Sequence, residues 1–373
     1  MASIDPATLE VPADLKPRDG RFGCGPTKIR PEAVTSVAER AGDLLGTSHR
    51  QPPVKSLVGR LQEGIADLFS VPDGYEVVLG NGGATAFWDA AVFGLIRERS
   101  LHYVFGEFSS KFSAAAAAAP WLKEIVRVET DPGGRPDLAV QDEVDVQALT
   151  HNETSTGVAM DVRRPQDDAL VLVDATSGAG GLPVDMGEAD AYYFSLQKGF
   201  ASEGGLWVAV LSPAAIDRTE ELSVGRYVPA SLDLSIAIDN ARKQQTYNTP
   251  AVVTLLLALD QVDWLLDRGG LAAAVDDCAA KADHVYGWAE ARDWAEPFVR
   301  DPAARSNVVA TIDLEGVSAA DVGVALRANG IVDTESYRKL GRNQLRVGLF
   351  PAVDRADVEA FTASVDWIIE RLG

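Results

Sequence analysis

Short apolar runs alternate along the chain with stretches whose apolar residues recur at helical spacing. Glu76-Val-Val-Leu79, His102-Tyr-Val-Phe105, Ile125-Val-Arg-Val128 and Val146 to Leu149 read as strands, and Leu170-Val-Leu-Val173 and Tyr192 to Leu196 as buried strands. Leu206 to Leu211 reads as a further strand after a turn over Gly199 to Gly205. Between these runs, Pro31 to about Leu45, Val54 to Phe69, Ala86 to Arg97 and the alanine-rich segment ending before Pro120 have helical periodicity. Pro31 suits a first helical turn, where its missing N–H costs nothing. The alternation predicts a doubly wound α/β domain with a mainly parallel sheet and a ligand along the carboxyl ends of its strands.

A long helix is expected over Ala251 to Leu266, with Pro250 at its first position and Asn248 or Thr249 as its cap. After Gly269-Gly270 the pattern changes. Helix, strand (Asn307 to Leu314), helix (Ala319 to Asn329), strand (Gln344 to Phe350) and a last helix to Leu372 predict a smaller α+β unit with an antiparallel sheet. The expected organisation is an N-terminal arm over 1–20, a large domain over 21–268 and a small C-terminal domain over 269–373.

Composition narrows the function. The formal net charge is -21, which disfavours nucleic acid and anionic membrane as partners. No apolar run is long enough to span a bilayer, and the first residues lack a basic segment followed by an apolar one. Two distant cysteines, Cys24 and Cys278, and four histidines without ligand spacing point to a reduced, cytoplasmic protein with no metal site. In so acidic a chain, cations set in turns are informative. Ser48-His49-Arg50, held between Gly46 and Pro52-Pro53, reads as an anion clamp, because arginine offers a planar fork to carboxylate or phosphate.

The candidate chemistry sits at strand ends. Lys198 follows the apolar strand Tyr192 to Leu196, where desolvation lowers an amine's pKa and makes it nucleophilic. Asp174 ends Leu170 to Val173, and a carboxylate buried there needs a cationic partner. Gly80-Asn-Gly-Gly-Ala-Thr85 between a strand and a helix makes an anion cradle of free N–H groups. It has neither the Walker lysine nor the dinucleotide glycine spacing. Phe108 follows a strand where an aromatic can cover a ring. Together these are the parts pyridoxal 5'-phosphate needs: a lysine for the Schiff base, a carboxylate for the pyridine nitrogen, a helix terminus for the phosphate and an aromatic for the ring.

Gly23 to Pro26, Ser48-His49-Arg50, Gly82 to Thr85, Asn152-Glu153-Thr154, Asp174, Gln197-Lys198, Asn248-Thr249-Pro250 and Leu345-Arg346 fall in the order of the phosphoserine aminotransferases, a fold-type I family. The chain resembles their actinobacterial branch from about residue 20 to 350. The resemblance implies that Lys198 is the Schiff-base lysine and proton shuttle, with Asp174 on the pyridine nitrogen, Thr154 on the ring hydroxyl and Phe108 stacked on the ring. It places Ala84, Thr85 and Gln197 on the phosphate, joined by Asn248 and Thr249 from a second subunit, and so implies a homodimer with shared sites. Where the family often carries arginine after Gly-Gly-Ala, this chain has Thr85. Arg346 is implied as the clamp for the substrate α-carboxylate, and His49 and Arg50 for the distal anion. No role is assigned to Arg338, Lys339 and Arg342. The implied reaction is transamination between L-glutamate and 3-phosphohydroxypyruvate, giving phosphoserine for serine synthesis, with a side activity in pyridoxine synthesis left open. An alanine– or serine–glyoxylate aminotransferase shares the cofactor frame but gives His49 and Arg50 no task. A cysteine desulfurase needs a mobile-loop thiol that neither cysteine supplies.

Overall fold

The computed structural model describes residues 4–165 and 168–372. Residues 1–3 of the expected arm and residue 373 of the expected C-terminal domain lie outside them. The strands are β1 (Glu76–Asn81), β2 (Ser100–Val104), β3 (Val126–Glu129), β4 (Val146–Thr150), β5 (Asn152–Glu153), β6 (Val158–Ala159), β7 (Leu170–Asp174), β8 (Ala191–Ser195), β9 (Leu206–Leu211), β10 (Ala295–Pro297), β11 (Val309–Leu314) and β12 (Gln344–Gly348). The helices are α1 (Pro31–Leu44), α2 (Pro52–Phe69), α3 (Gly83–Gly94), α4 (Glu107–Ala117), α5 (Pro213–Gly225), α6 (Leu234–Ala241), α7 (Val252–Asp267), α8 (Gly270–Glu290), α9 (Ala319–Ala328) and α10 (Arg355–Leu372).

The main sheet has seven strands in the order β1-β9-β8-β7-β4-β2-β3. Only β9 runs antiparallel to its neighbours, β1 and β8. Its inner strands β4, β7, β8 and β9 are buried on both faces because both are covered by helices, while the edge strand β3 alternates half-buried and exposed residues. On β7, Val171 and Val173 pack with Leu57, Leu61 and Ile65 of α2 and Leu255, Leu259 and Val262 of α7. Leu170 and Leu172 point the other way, among Phe87 and Ala91 of α3 and Phe112 of α4. The period-two alternation of a strand thus separates two cores. Burying each such side chain stabilises the fold by about 1.5–3 kcal/mol.

A third core joins α8, α9 and α10 to the antiparallel sheet β10-β11-β12, and Val11 and Phe22 near the N-terminus belong to it. The arm is pinned there by polar bonds. The Val11 N–H donates to Asn329 Oδ1 at 2.9 Å, and the Arg18 N–H to Asp357 Oδ1 at 2.8 Å.

Three local expectations are corrected. The cap of α7 is Ala251, with no side-chain bond, rather than Asn248 or Thr249. Those side chains have other partners: Asn248 Oδ1 accepts from Asn81 Nδ2, and Thr249 Oγ1 lies 3.2 Å from His49 Nδ1. Helix α3 starts at Gly83, three residues before the predicted Ala86, because Gly82 turns the chain in one residue at φ 110°. Helix α8 stops at Glu290 instead of reaching Trp294, which frees Ala295–Pro297 to pair with β11.

Candidate active site

The carboxyl ends of β1, β2, β4, β7 and β8 open on one cavity of about 380 Å³. Gly82, Gly83, Ala84 and Thr85 form one wall, and the Gly82 N–H donates to the Gly205 carbonyl at 2.8 Å. This is the start of α3, so unpaired N–H groups and the positive end of the helix face the cavity. Gln197 lies on the same lining, and its Oε1 is buried without a partner.

Lys198 is 6% exposed. Its Nζ donates to Thr154 Oγ1 at 2.8 Å and stands 5.2 Å from the centre of the Phe108 ring. Burial pushes its pKa down from 10.5 to about 8, against the opposing pull of Asp174, Cys24 and Glu153. About a tenth of such an amine is neutral at pH 7, against well under a thousandth for a solvated lysine. Gly25 makes the room for this side chain. A Cβ there would lie 2.4 Å from Lys198 Cε, at a φ of +137°. Gly25→Ala is therefore expected to push Lys198 out of line. With about 1–3 kcal/mol of strain, cofactor loading, followed as visible absorbance per chain, should fall about tenfold or more.

Asp174 is buried, and two donors of the protein fix its carboxylate. Oδ2 accepts from Trp88 Nε1 at 2.9 Å and Oδ1 from the Thr176 N–H at 3.0 Å. Both of these donors are neutral and stabilise the carboxylate by hydrogen bonding. Trp88 was not singled out from sequence, although it stands four residues after Ala84 on the cavity-facing side of α3.

Phe108 is the second residue of α4, whose N-terminus is held by the fully buried Glu153. Glu153 Oε2 accepts from the Phe108 N–H at 3.1 Å and the Ser109 N–H at 2.9 Å. Thr154 directly follows Glu153 at the end of β5, so the ring and the hydroxyl are placed by adjacent residues.

Arg346 on β12 reaches the cavity from the C-terminal part. Its Nη1 donates to the Thr154 carbonyl at 3.1 Å, its Nε is buried without a partner, and its guanidinium lies 5.4 Å from the Tyr337 ring centre. Tyr337 also lines the cavity, 6.1 Å from Phe108 between ring centroids. It belongs to the cationic stretch marked in the sequence, yet two cations of that stretch are occupied elsewhere: Lys339 pairs with Glu107 and Arg342 with Asp313.

His49, Arg50, Asn248 and Thr249 do not line this cavity. Arg50, Asn248 and Thr249 are exposed, and His49 touches Thr249. His49 Nε2 is buried without a partner. Cys24 does line it, but burial pushes its thiol up, which disfavours a nucleophilic thiolate. Among the described residues, no three His, Cys, Asp or Glu side chains are grouped to hold a metal ion. No described helix is long and apolar enough to cross a membrane.

The model of the class-V aminotransferases matches residues 23–361. The chain belongs to that family. Among class-V aminotransferase relatives, a Mycobacterium avium protein is 62% identical over 98% of this chain and 98% of its own. A phosphoserine aminotransferase from Rhodococcus opacus is 57% identical over 98% of this chain and 100% of its own. The crystal structure of a phosphoserine aminotransferase from Cytophaga hutchinsonii superposes with a TM-score of 0.85 at 23% identity, covering 94% of this chain and 99% of that one. At that identity it speaks for the fold, the fold-type I arrangement expected from the sequence.

Proposed function

We propose that this class-V aminotransferase is a phosphoserine transaminase that uses pyridoxal 5'-phosphate to move an amino group between L-glutamate and 3-phosphohydroxypyruvate. The observation that carries the reading is the opposition, in one cavity, of a depressed lysine amine and a guanidinium with an unpartnered Nε. The full-length likeness to the Rhodococcus opacus phosphoserine aminotransferase supports the choice of substrate.

The residues present fit the cofactor. Gln197 Oε1 and Thr176 Oγ1 are buried and without partners on the cavity wall, and the Gly82–Thr85 turn leaves N–H groups for a phosphate. When bound, pyridoxal phosphate supplies an aldehyde for the amine and a protonated ring that draws off the electron pair left at the substrate's Cα. Lys198 Nζ would hold the aldehyde covalently and, when freed by the substrate amine, would carry the proton from Cα to the cofactor carbon. Asp174, fixed by Trp88 and the Thr176 N–H, keeps the ring nitrogen protonated. Thr154 would bond the ring oxygen, and Phe108 would cover the ring and exclude water from that face. Arg346 binds the α-carboxylate common to both substrates and so sets Cα near Lys198.

The distal anion of either substrate is assigned to His49 and Arg50, and a second contact with the cofactor phosphate to Asn248 and Thr249, each from a second copy of the chain. What supports a homodimer with shared sites is that these four residues lie together, outside their own chain's cavity. We place the enzyme in the cytoplasm, with small molecules as its other partners.

The test is spectroscopic. L-phosphoserine and L-glutamate are expected to convert the yellow form to the amine form of the cofactor in a single turnover. L-serine and L-alanine should do so at least about a hundredfold more slowly, since the distal anion contributes on the order of 3 kcal/mol. Equal conversion by alanine would remove the phosphoserine assignment and favour an alanine or glyoxylate substrate.

A further inference from the structure

The hydroxyl that meets Lys198 does not stand alone. Thr154 Oγ1 lies 2.8 Å from Ser177 Oγ, and Ser177 Oγ lies 2.8 Å from the main-chain carbonyl oxygen of Asn152. Asn152 Nδ2 donates to the same Ser177 Oγ at 2.9 Å. Ser177, Asn152 and Thr154 are each no more than 3% exposed and sit on the wall of the cavity.

Proton counting fixes the directions. A carbonyl only accepts, so the single hydrogen of Ser177 goes to Asn152. The Asn152 amide can only donate to Ser177 through Nδ2. Ser177 therefore has lone pairs, and no hydrogen, left for Thr154. The Thr154 hydrogen must point to Ser177, which leaves Thr154 Oγ1 only lone pairs to offer Lys198 Nζ.

We propose that Ser177 is a positioning residue that claims the Thr154 hydroxyl hydrogen and thereby makes Thr154 an obligate acceptor toward Lys198. An acceptor at 2.8 Å favours the ammonium over the neutral amine. Ser177 thus holds back part of the depression that burial imposes. The charged groups acting on Lys198 come from other elements: Asp174 at the end of β7, Glu153 on β5, Cys24 in the N-terminal loop and Arg346 on β12. None of them is bonded to Ser177, so its substitution leaves them in place. The proposal deepens the reading of Lys198 as the cofactor lysine, and only its catalytic meaning rests on that reading.

The experiment is a titration of Lys198 in the full-length protein freed of cofactor, by competitive acetylation with acetic anhydride across pH and peptide mass spectrometry. Ser177→Ala releases the Thr154 hydrogen, which can then be donated to the neutral amine. The labelling midpoint should drop by about half a unit to one unit. Thr154→Val, which removes the acceptor, should also lower it. In the Thr154→Val background, Ser177→Ala should add nothing. A midpoint unchanged within about 0.2 unit in Ser177→Ala overturns the proposal. So does an equal shift from Ser177→Ala with and without the Thr154 hydroxyl, because the effect would then not run through Thr154. Near-UV circular dichroism of each variant checks that packing is retained. Failure of the wild type to take up pyridoxal phosphate would instead overturn the functional reading while leaving the titration readable.

Discussion

Lys198→Ala is expected to lower transamination by on the order of 10⁴-fold or more, while pyridoxal phosphate still binds without a covalent link. Among the described residues, Lys198 is the only lysine on the lining of the cavity, and the cavity's thiol, Cys24, is pushed toward its neutral form by burial. No neighbouring group can both hold the aldehyde and carry the Cα proton. The rest of the binding set, from the Gly82 turn to Asp174 and Phe108, is left intact, so the fold and cofactor affinity should survive. Steady-state turnover gives the rate. Borohydride treatment followed by mass spectrometry gives the link: the wild type should gain the cofactor's mass and the variant should not. Turnover within tenfold of the wild type would remove Lys198 from the centre of the mechanism.

Arg346→Ala should cost about 10²- to 10³-fold in kcat/KM for both glutamate and phosphoserine, because the α-carboxylate is the part they share. The guanidinium has one nitrogen tied to the Thr154 carbonyl and its Nε free, and it faces Tyr337, so its plane is set before substrate arrives. Arg346→Lys should recover little, since an ammonium lacks the fork. Equal losses for the two substrates would support the assignment. A loss confined to phosphoserine would instead place Arg346 on the distal phosphate.

Much of the site could be read along the chain because its residues stand where local pattern is strongest. Lys198 and Asp174 each break an apolar run, and a polar residue ending a buried strand is visible without any neighbour. The Gly80–Thr85 segment is equally local, since Gly82 and Gly83 are demanded by backbone angles. Trp88 and Ser177 were not legible in this way. Trp88 looks like any apolar helix residue until α3 is laid across β7 and its N–H finds Asp174, 86 residues away. Ser177 is one of many small residues in a turn until β5 brings Thr154 and Asn152 against it. The cap assigned to α7 failed for a related reason, because long-range partners had taken the side chains that local preference would use.

The sequence by itself determined the class of fold and the alternation of strands and helices that builds the main sheet. It could do so because two-sided burial writes its period directly into each segment. Tertiary structure alone decided the antiparallel insertion of β9, the docking of the N-terminal arm on the C-terminal core and the route by which Arg346 reaches Thr154. It also set the donors that surround Asp174 and Lys198. Those contacts join residues tens to hundreds of positions apart. Their partners are chosen by packing and by the need to satisfy every buried polar atom, and neither leaves a periodic trace in the chain.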